Sequence, residues 1–134
     1  MEIKIAKFED IEIIGLMDKH ISKDELKNSI KLKRVYILEE KDEFIGWLRY
    51  SLFWDNTPFM NMIYILEGYR GQGFGRLAVE FWEKEIKSLG YKTILTSTAS
   101  NEYAQHFYNK LGYKTIGGFT LREDPFEIIL SKNI

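Results

Sequence analysis

The chain has 134 residues, 19 basic and 20 acidic, so its formal charge of −1 gives no strong global field for general nucleic-acid binding. With 45% hydrophobic and 29% charged residues it reads as one folded domain over 1–134, neither disordered nor fibrous. The lack of cysteine excludes disulfides, thiolate nucleophiles and cysteine zinc sites, and two histidines are too few for the usual zinc site. Met1-Glu2-Ile3-Lys4-Ile5 opens no long apolar run, so the expectation is a cytoplasmic protein, metal-free, with no signal peptide and no membrane span, as a monomer or a homodimer.

In chain order, Ile3 and Ile5 predict a first strand, and Ile11, Ile14 and Leu16 a helix over about 9–20. Ser22-Lys23-Asp24-Glu25 is a capping box, which places a second helix over about 23–32 with Leu26 and Ile30 inward. Strands follow over about 34–40, 44–54 and 59–66, separated by turns at Lys41-Asp42-Glu43 and Asp55-Asn56-Thr57-Pro58. The period then changes: Leu77, Ala78, Phe81, Trp82, Ile86 and Leu89 lie on one stripe of a helix over about 75–89. Glu80–Lys84 and Glu83–Lys87 stand at ion-pair spacing on its outer face. Gly90 ends that helix in the left-handed conformation. Tyr91–Thr98 reads as a strand, about 102–111 as a helix capped by Gly112, and Tyr113–Phe119 and Glu127–Lys132 as closing strands. The fold class is therefore α/β, a mixed and mostly antiparallel sheet with a central parallel β-α-β crossover flanked by helices.

The stretch that carries chemistry is Tyr69-Arg70-Gly71-Gln72-Gly73-Phe74-Gly75-Arg76, between an apolar strand and the strongest helix. Three glycines leave backbone N–H groups unobstructed where the helix presents its positive end, and Arg70 and Arg76 can add charge-assisted bonds to phosphate. A glycine-rich turn with no ligand is the plain alternative; the flanking arginines and the apolar strand before it favour phosphate. Gly73-Phe74-Gly75-Arg76-Leu77-Ala78 satisfies the dinucleotide form G-x-G-x-x-A, but the next strand ends Thr96-Ser97-Thr98 with no carboxylate for a ribose. A P-loop is excluded because no Gly-Lys-Ser/Thr follows at its spacing.

Arg70-Gly71-Gln72-Gly73-Phe74-Gly75 resembles the R-x-x-G-x-G/A motif of the GNAT superfamily of acetyl-CoA-dependent N-acetyltransferases. Asn101-Glu102-Tyr103-Ala104-Gln105-His106-Phe107-Tyr108-Asn109-Lys110-Leu111-Gly112-Tyr113 is similar to the family's N-x-x-A-x-x-x-Y-x-x-x-G-F/Y signature, and the elements between the two motifs come in the family's order. The resemblance is specific over about 59–119. It implies that the backbone of Ile65 and Leu66 meets the pantetheine arm and helps polarise the thioester carbonyl. It further implies that the amides of Gly71, Gln72, Gly73, Phe74, Gly75 and Arg76 hold the pyrophosphate, with the Arg70 and Gln72 side chains at the start of the loop. Asn101 would position the cofactor or the strand end, and Tyr108 would face the cofactor sulfur. Glu67 stands where many family members carry proline, leaving an additional N–H and a carboxylate at the strand end.

The function these residues imply is transfer of an acetyl group from acetyl-CoA to a primary amine of a small molecule or peptide. Without cysteine or a nucleophile elbow, direct attack in a ternary complex is the expected route. Tyr108 is the expected partner of the departing thiolate, although Ala104, Phe107, Tyr108 and Leu111 also form an apolar stripe that could place it in the core. Glu67 is the first candidate for the base that takes the amine proton, with a water chain as alternative; His106, two residues before Tyr108, turns to the far face of its helix. The acceptor is expected near Lys19–Leu32, with Trp47, Arg49 and Phe53 as further wall candidates. A catalytically silent CoA-binding module and a dinucleotide-dependent oxidoreductase are the competing readings.

Overall fold

A computed structural model describes all residues, 1–134. Its strands are β1 (Glu2–Ile5), β2 (Val35–Glu40), β3 (Glu43–Phe53), β4 (Thr57–Ile65), β5 (Thr93–Ala99), β6 (Lys114–Phe119) and β7 (Glu127–Asn133). Its helices are α1 (Ile11–Met17), α2 (Lys23–Lys31), α3 (Phe74–Ser88) and α4 (Ala104–Lys110). The strands hydrogen-bond in the order β1-β2-β3-β4-β5-β7-β6. Pairing is antiparallel for β1–β2, β2–β3, β5–β7 and β6–β7, and parallel for β4–β5, where Phe59 faces Leu95 and Met60 faces Thr96. This is the α/β class read from the sequence, with the last strand inserted between β5 and β6.

Four features differ from expectation for identifiable reasons. The first helix runs over 11–17, preceded by a 3-10 turn at Phe8–Asp10. It stops because Asp18 is extended (ψ 104°) and its carboxylate is bound elsewhere, and Leu16, expected to pack with Ile11 and Ile14, is 73% exposed. The β3–β4 turn comes earlier, with Trp54 and Asp55 at positive φ, so β4 starts at Thr57 and admits Pro58 near its beginning. The buried stripe of α3 is Ala78, Val79, Trp82 and Ile86, while Leu77 and Leu89 are exposed. Glu83 pairs with Lys132 on β7, at 3.0 Å, and not with Lys87 one turn along its own helix. The caps are as expected: Ser22 Oγ accepts from the Glu25 amide at 3.2 Å, and Gly90 and Gly112 have φ of +97° and +94°.

The chain divides into two compact units, Met1–Ser51 with Met62–Val79, and Leu52–Asn61 with Glu80–Ile134. In the first, Ala6, Ile11, Ile14, Leu26, Ile30, Val35, Ile37 and Trp47 make a continuous core that joins α1, α2 and the residue after β1 to β2 and β3. Gly46 is obligatory there, because a Cβ at that position would collide with the Tyr64 carbonyl oxygen of β4. In the second, the fully buried side chains include Trp82, Ile86, Ile94, Tyr113 and Leu130, at 2% exposure or less.

Candidate active site

Within the first unit, β4 ends at Ile65 and the chain turns through a 3-10 element, Glu67–Tyr69, before the glycine loop. The turn is closed by its own backbone: the Tyr69 amide donates to the Leu66 carbonyl at 2.9 Å and the Arg70 amide to the Glu67 carbonyl at 3.3 Å. The Leu66 amide donates to the Ile45 carbonyl at 2.7 Å. Both main-chain groups of Leu66 are thus engaged within the protein. Glu67 is exposed at the first position of the turn.

Arg70 does more than border the loop. Its Nε donates to the Ile65 carbonyl at 2.7 Å and its guanidinium carbon lies 5.0 Å from the centre of the Tyr64 ring. It therefore buckles the loop to the end of β4, while its Nη groups make no hydrogen bond within this unit. Gln72 Nε2 reaches back to the Gly68 carbonyl at 3.5 Å, at the limit of a hydrogen bond.

Gly71 and Gly73 have φ of +75° and +85°, a conformation costly for any residue with a Cβ, and both positions open onto free space. The Gly73 carbonyl accepts from the Leu77 amide at 3.1 Å, the first turn of α3. The amides of Gly73, Phe74 and Gly75 precede that bond, so they have no helical acceptor and point out of the helix at its positive end. Residues 71–73 are exposed. Main-chain donors so arranged form a cradle of the kind that can hold an anion.

Within the second unit, the parallel pairing of Met60 with Thr96 is reinforced by a side chain: Thr96 Oγ1 donates to the Met60 carbonyl at 3.0 Å. Tyr108, on α4, is 6% exposed and meets Phe107 and Tyr113 edge-on, at ring separations of 5.2 and 5.6 Å. Burial pushes its phenol up to about 12, the Thr96 hydroxyl acting in the opposite sense and the Glu102 carboxylate adding to the rise. Tyr113 beneath it donates to Glu83 Oε2 at 2.8 Å, and Lys132 Nζ holds both oxygens of that carboxylate at 3.0 and 3.1 Å. Burial first, and Glu83 second, raise the Tyr113 phenol far above its ordinary range. Asn101 is exposed in the turn before α4, which Gln105 braces by donating to the Ser100 carbonyl at 3.0 Å. His106 is exposed, its ring against Tyr103.

The supposed acceptor wall on β3 is different in kind. Trp47 and Arg49 are 1% and 6% exposed, and both are bound to Asp18. Arg49 donates from Nε at 2.8 Å and Nη2 at 3.3 Å, Trp47 Nε1 at 3.0 Å, and the His20 amide at 3.0 Å. They secure the α1–α2 junction. Burial alone would raise the Asp18 carboxyl, but the bond from Arg49, then those from His20 and Trp47, hold it below the usual carboxylate value. Asp18 was not singled out by the sequence; its one signal is Arg49 amid apolar β3 residues, which requires a buried anion from somewhere. Phe53 lines an apolar groove of about 360 Å³ with Phe59, Leu95 and Ile129.

A family model described as acetyltransferase (GNAT) family matches residues 7–113. Solved structures agree in fold. An acetyltransferase of the GNAT family from Bacillus cereus superposes with a TM-score of 0.78 at 24% identity, covering 98% of this chain and 96% of that one. The ribosomal-protein-S18-alanine N-acetyltransferase from Escherichia coli superposes at 0.80 with 18% identity, covering 99% and 93%. The PaiA N-acetyltransferase from Thermoplasma acidophilum, solved in complex with coenzyme A, superposes at 0.79 with 18% identity, covering 99% and 98%. No curated protein matches the chain in sequence. The glycine cradle and the Asn101–Tyr113 segment both fall within the matched residues, and the chain belongs to the GNAT family of acetyltransferases.

Proposed function

We propose that this protein is an N-acetyltransferase that moves an acetyl group from acetyl-CoA to a primary amine by direct attack in a ternary complex. The observation that carries this reading is the cradle at 71–75: two glycines at positive φ, open space above them, and the first amides of a 15-residue helix without helical acceptors. Those donors suit a diphosphate, and a relative of the same fold was solved with coenzyme A. The family match removes the support for the dinucleotide-dependent oxidoreductase.

In this reading the amides of Gly71, Gln72, Gly73, Phe74, Gly75 and Arg76 grip the diphosphate, and the Arg70 Nη groups add charge. Because the Leu66 amide is held by Ile45, pairing with the pantetheine arm falls chiefly to the Ile65 backbone, whose carbonyl accepts from Arg70 Nε and keeps a second lone pair, with Leu66 supplying its side chain. Asn101 holds the far end of the arm. What the donor supplies is an activated acetyl group; the chain supplies placement and charge stabilisation.

The reaction forms one C–N bond, breaks one C–S bond and moves one proton away from the amine. Glu67, exposed beside the end of β4, takes that proton directly or through water. Tyr108 serves the leaving sulfur. Its phenol at about 12 lies some 3.5 units above a thiol near ~8.5, so full transfer would be uphill by about 5 kcal/mol. Tyr108 therefore stabilises the thiolate as a hydrogen-bond donor and keeps its own proton.

Calorimetry with coenzyme A, followed by an amine screen reading thiol release from acetyl-CoA, tests the proposal. Binding of coenzyme A with turnover of at least one amine class supports it. Binding without turnover on any amine makes the protein a silent CoA module, and stabilisation by NADH in place of coenzyme A removes the cradle assignment.

A further inference from the structure

The Arg70 guanidinium is fixed at two points, and neither is an anion. Its Nε donates to the Ile65 carbonyl at 2.7 Å, and the Tyr64 ring centre lies 5.0 Å from its Cζ. The hydrogen bond fixes one edge of the planar fork, and the ring fixes the plane itself. The Nη groups, which make no hydrogen bond within this unit, keep their donors free. A long charged side chain on an exposed loop ordinarily samples many rotamers, and ordering it costs conformational entropy. Here that cost falls on the folding of the chain.

The ring is held in its turn. Tyr64 stacks on Trp47 at a ring separation of 4.8 Å and an interplanar angle of 24°. Trp47 is 1% exposed and donates to Asp18, so the support beneath the ring is part of the rigid core. Tyr64 and Ile65 are the last two residues of β4, so one strand end sets both the ring and the carbonyl that Arg70 meets. Tyr64 itself is 39% exposed, which leaves the stacked arginine at the surface beside the glycine loop.

We propose that Tyr64 is a positioning residue for the acyl-donor diphosphate: its ring holds the Arg70 guanidinium in one plane, so that the Nη donors are ordered before the ligand arrives. A preordered donor binds more tightly because its side-chain entropy is not lost on association. The agent is the π face of the ring, whose quadrupole attracts a cation, and the Tyr64 hydroxyl takes no part. The inference rests on the reading of the glycine loop as the diphosphate site with Arg70 beside it.

The test is a double-mutant cycle on the full chain, with coenzyme A affinity measured by calorimetry. Tyr64→Leu keeps an apolar side chain and removes the ring, and it is expected to bind coenzyme A about 3- to 10-fold more weakly. Tyr64→Phe keeps the ring and should stay within twofold of wild type. Arg70→Met removes the guanidinium and should lose about 10-fold or more, the range of a bond to a charged group. The deciding comparison is Tyr64→Leu placed in the Arg70→Met background, where it should change affinity by less than twofold. Damage to β4 would weaken binding alike in both backgrounds, so an equal loss in the two overturns the inference. Unchanged affinity in Tyr64→Leu or in Arg70→Met overturns it as well, and so does a Tyr64→Phe variant as weak as Tyr64→Leu. Wild-type protein that does not bind coenzyme A removes the underlying diphosphate reading instead.

Discussion

Arg49 grips Asp18 with two nitrogens, Nε at 2.8 Å and Nη2 at 3.3 Å, although the two residues are 31 positions apart and both are buried. The pair ties the end of α1 to the middle of β3, and Trp47 and the His20 amide complete the shell of donors around the carboxylate. Removing one member leaves an uncompensated buried charge, so Arg49→Leu is expected to lower the unfolding free energy by about 3–5 kcal/mol, read by urea titration. Asp18→Asn is expected to cost a comparable amount, since it leaves the Arg49 guanidinium uncompensated and turns an NH2 group toward donors in either orientation of the amide.

The same carboxylate sets an acid limit. Its pKa in the folded protein is held below the unfolded value, so its contribution is fully present above the unfolded value of about 3.9 and is lost as pH falls through the lower folded one. Urea midpoints measured from pH 6 down to pH 2 should therefore fall more steeply below about pH 4 in the wild type than in Asp18→Asn. Parallel acid limbs in the two proteins would show that the pair does not stabilise the fold electrostatically.

Gly73→Asp is expected to abolish measurable coenzyme A binding. Two effects act together: the side chain is strained at φ +85°, and its charge points at the donors meant for the diphosphate. Strain at one exposed loop residue costs about 1 kcal/mol, which leaves the protein folded. Gly73→Ala separates the two effects, since it keeps the strain and omits the charge. It should retain weakened binding, and calorimetry that finds both variants unimpaired would empty the cradle of its role.

Local signals carry most of the secondary structure. Ser22, Gly90 and Gly112 mark helix ends through contacts made within a few residues, and the cradle glycines are visible because positive φ is a property of single positions. What the sequence hides is non-local. Nothing near Glu83 indicates that Lys132, 49 positions away, outcompetes Lys87 one turn along. Leu77 and Leu89 satisfy the same period as Trp82, and their exposure is decided by which neighbours cover α3. For the site, Tyr108 is legible both as a motif residue and as a stripe residue, and its burial answers to the stripe alone. The Asp18 shell has no pattern at all, because partnership across strands has no fixed spacing.

Glu67→Gln is expected to lower kcat by about tenfold or more, within the usual worth of a general base, and to leave coenzyme A affinity within twofold. The glutamine keeps the size of the exposed side chain and removes only its basicity. A variant with wild-type kcat assigns proton removal to water or to the acceptor itself.

Tyr108→Phe discriminates between a packing role and a chemical one. The ring is buried and makes edge contacts with Phe107 and Tyr113, all of which phenylalanine preserves. Only the hydroxyl is lost, so coenzyme A affinity should hold while kcat falls at least tenfold, the size expected for a donor aimed at developing charge. The ionisation state adds a second readout. With the phenol at about 12, the wild-type enzyme keeps its donor protonated through the working range, and kcat should show no fall assignable to Tyr108 below about pH 10. Stability responds in the opposite window. Above pH 10 the unfolded tyrosine ionises while the folded one does not, so the wild type loses up to about 2–3 kcal/mol between pH 10 and 12, a loss that Tyr108→Phe is spared. Urea unfolding at pH 9 and pH 11.5 measures the difference between the two proteins. Equal kcat in the variant, with the expected alkaline stability gain, would make Tyr108 a core residue only.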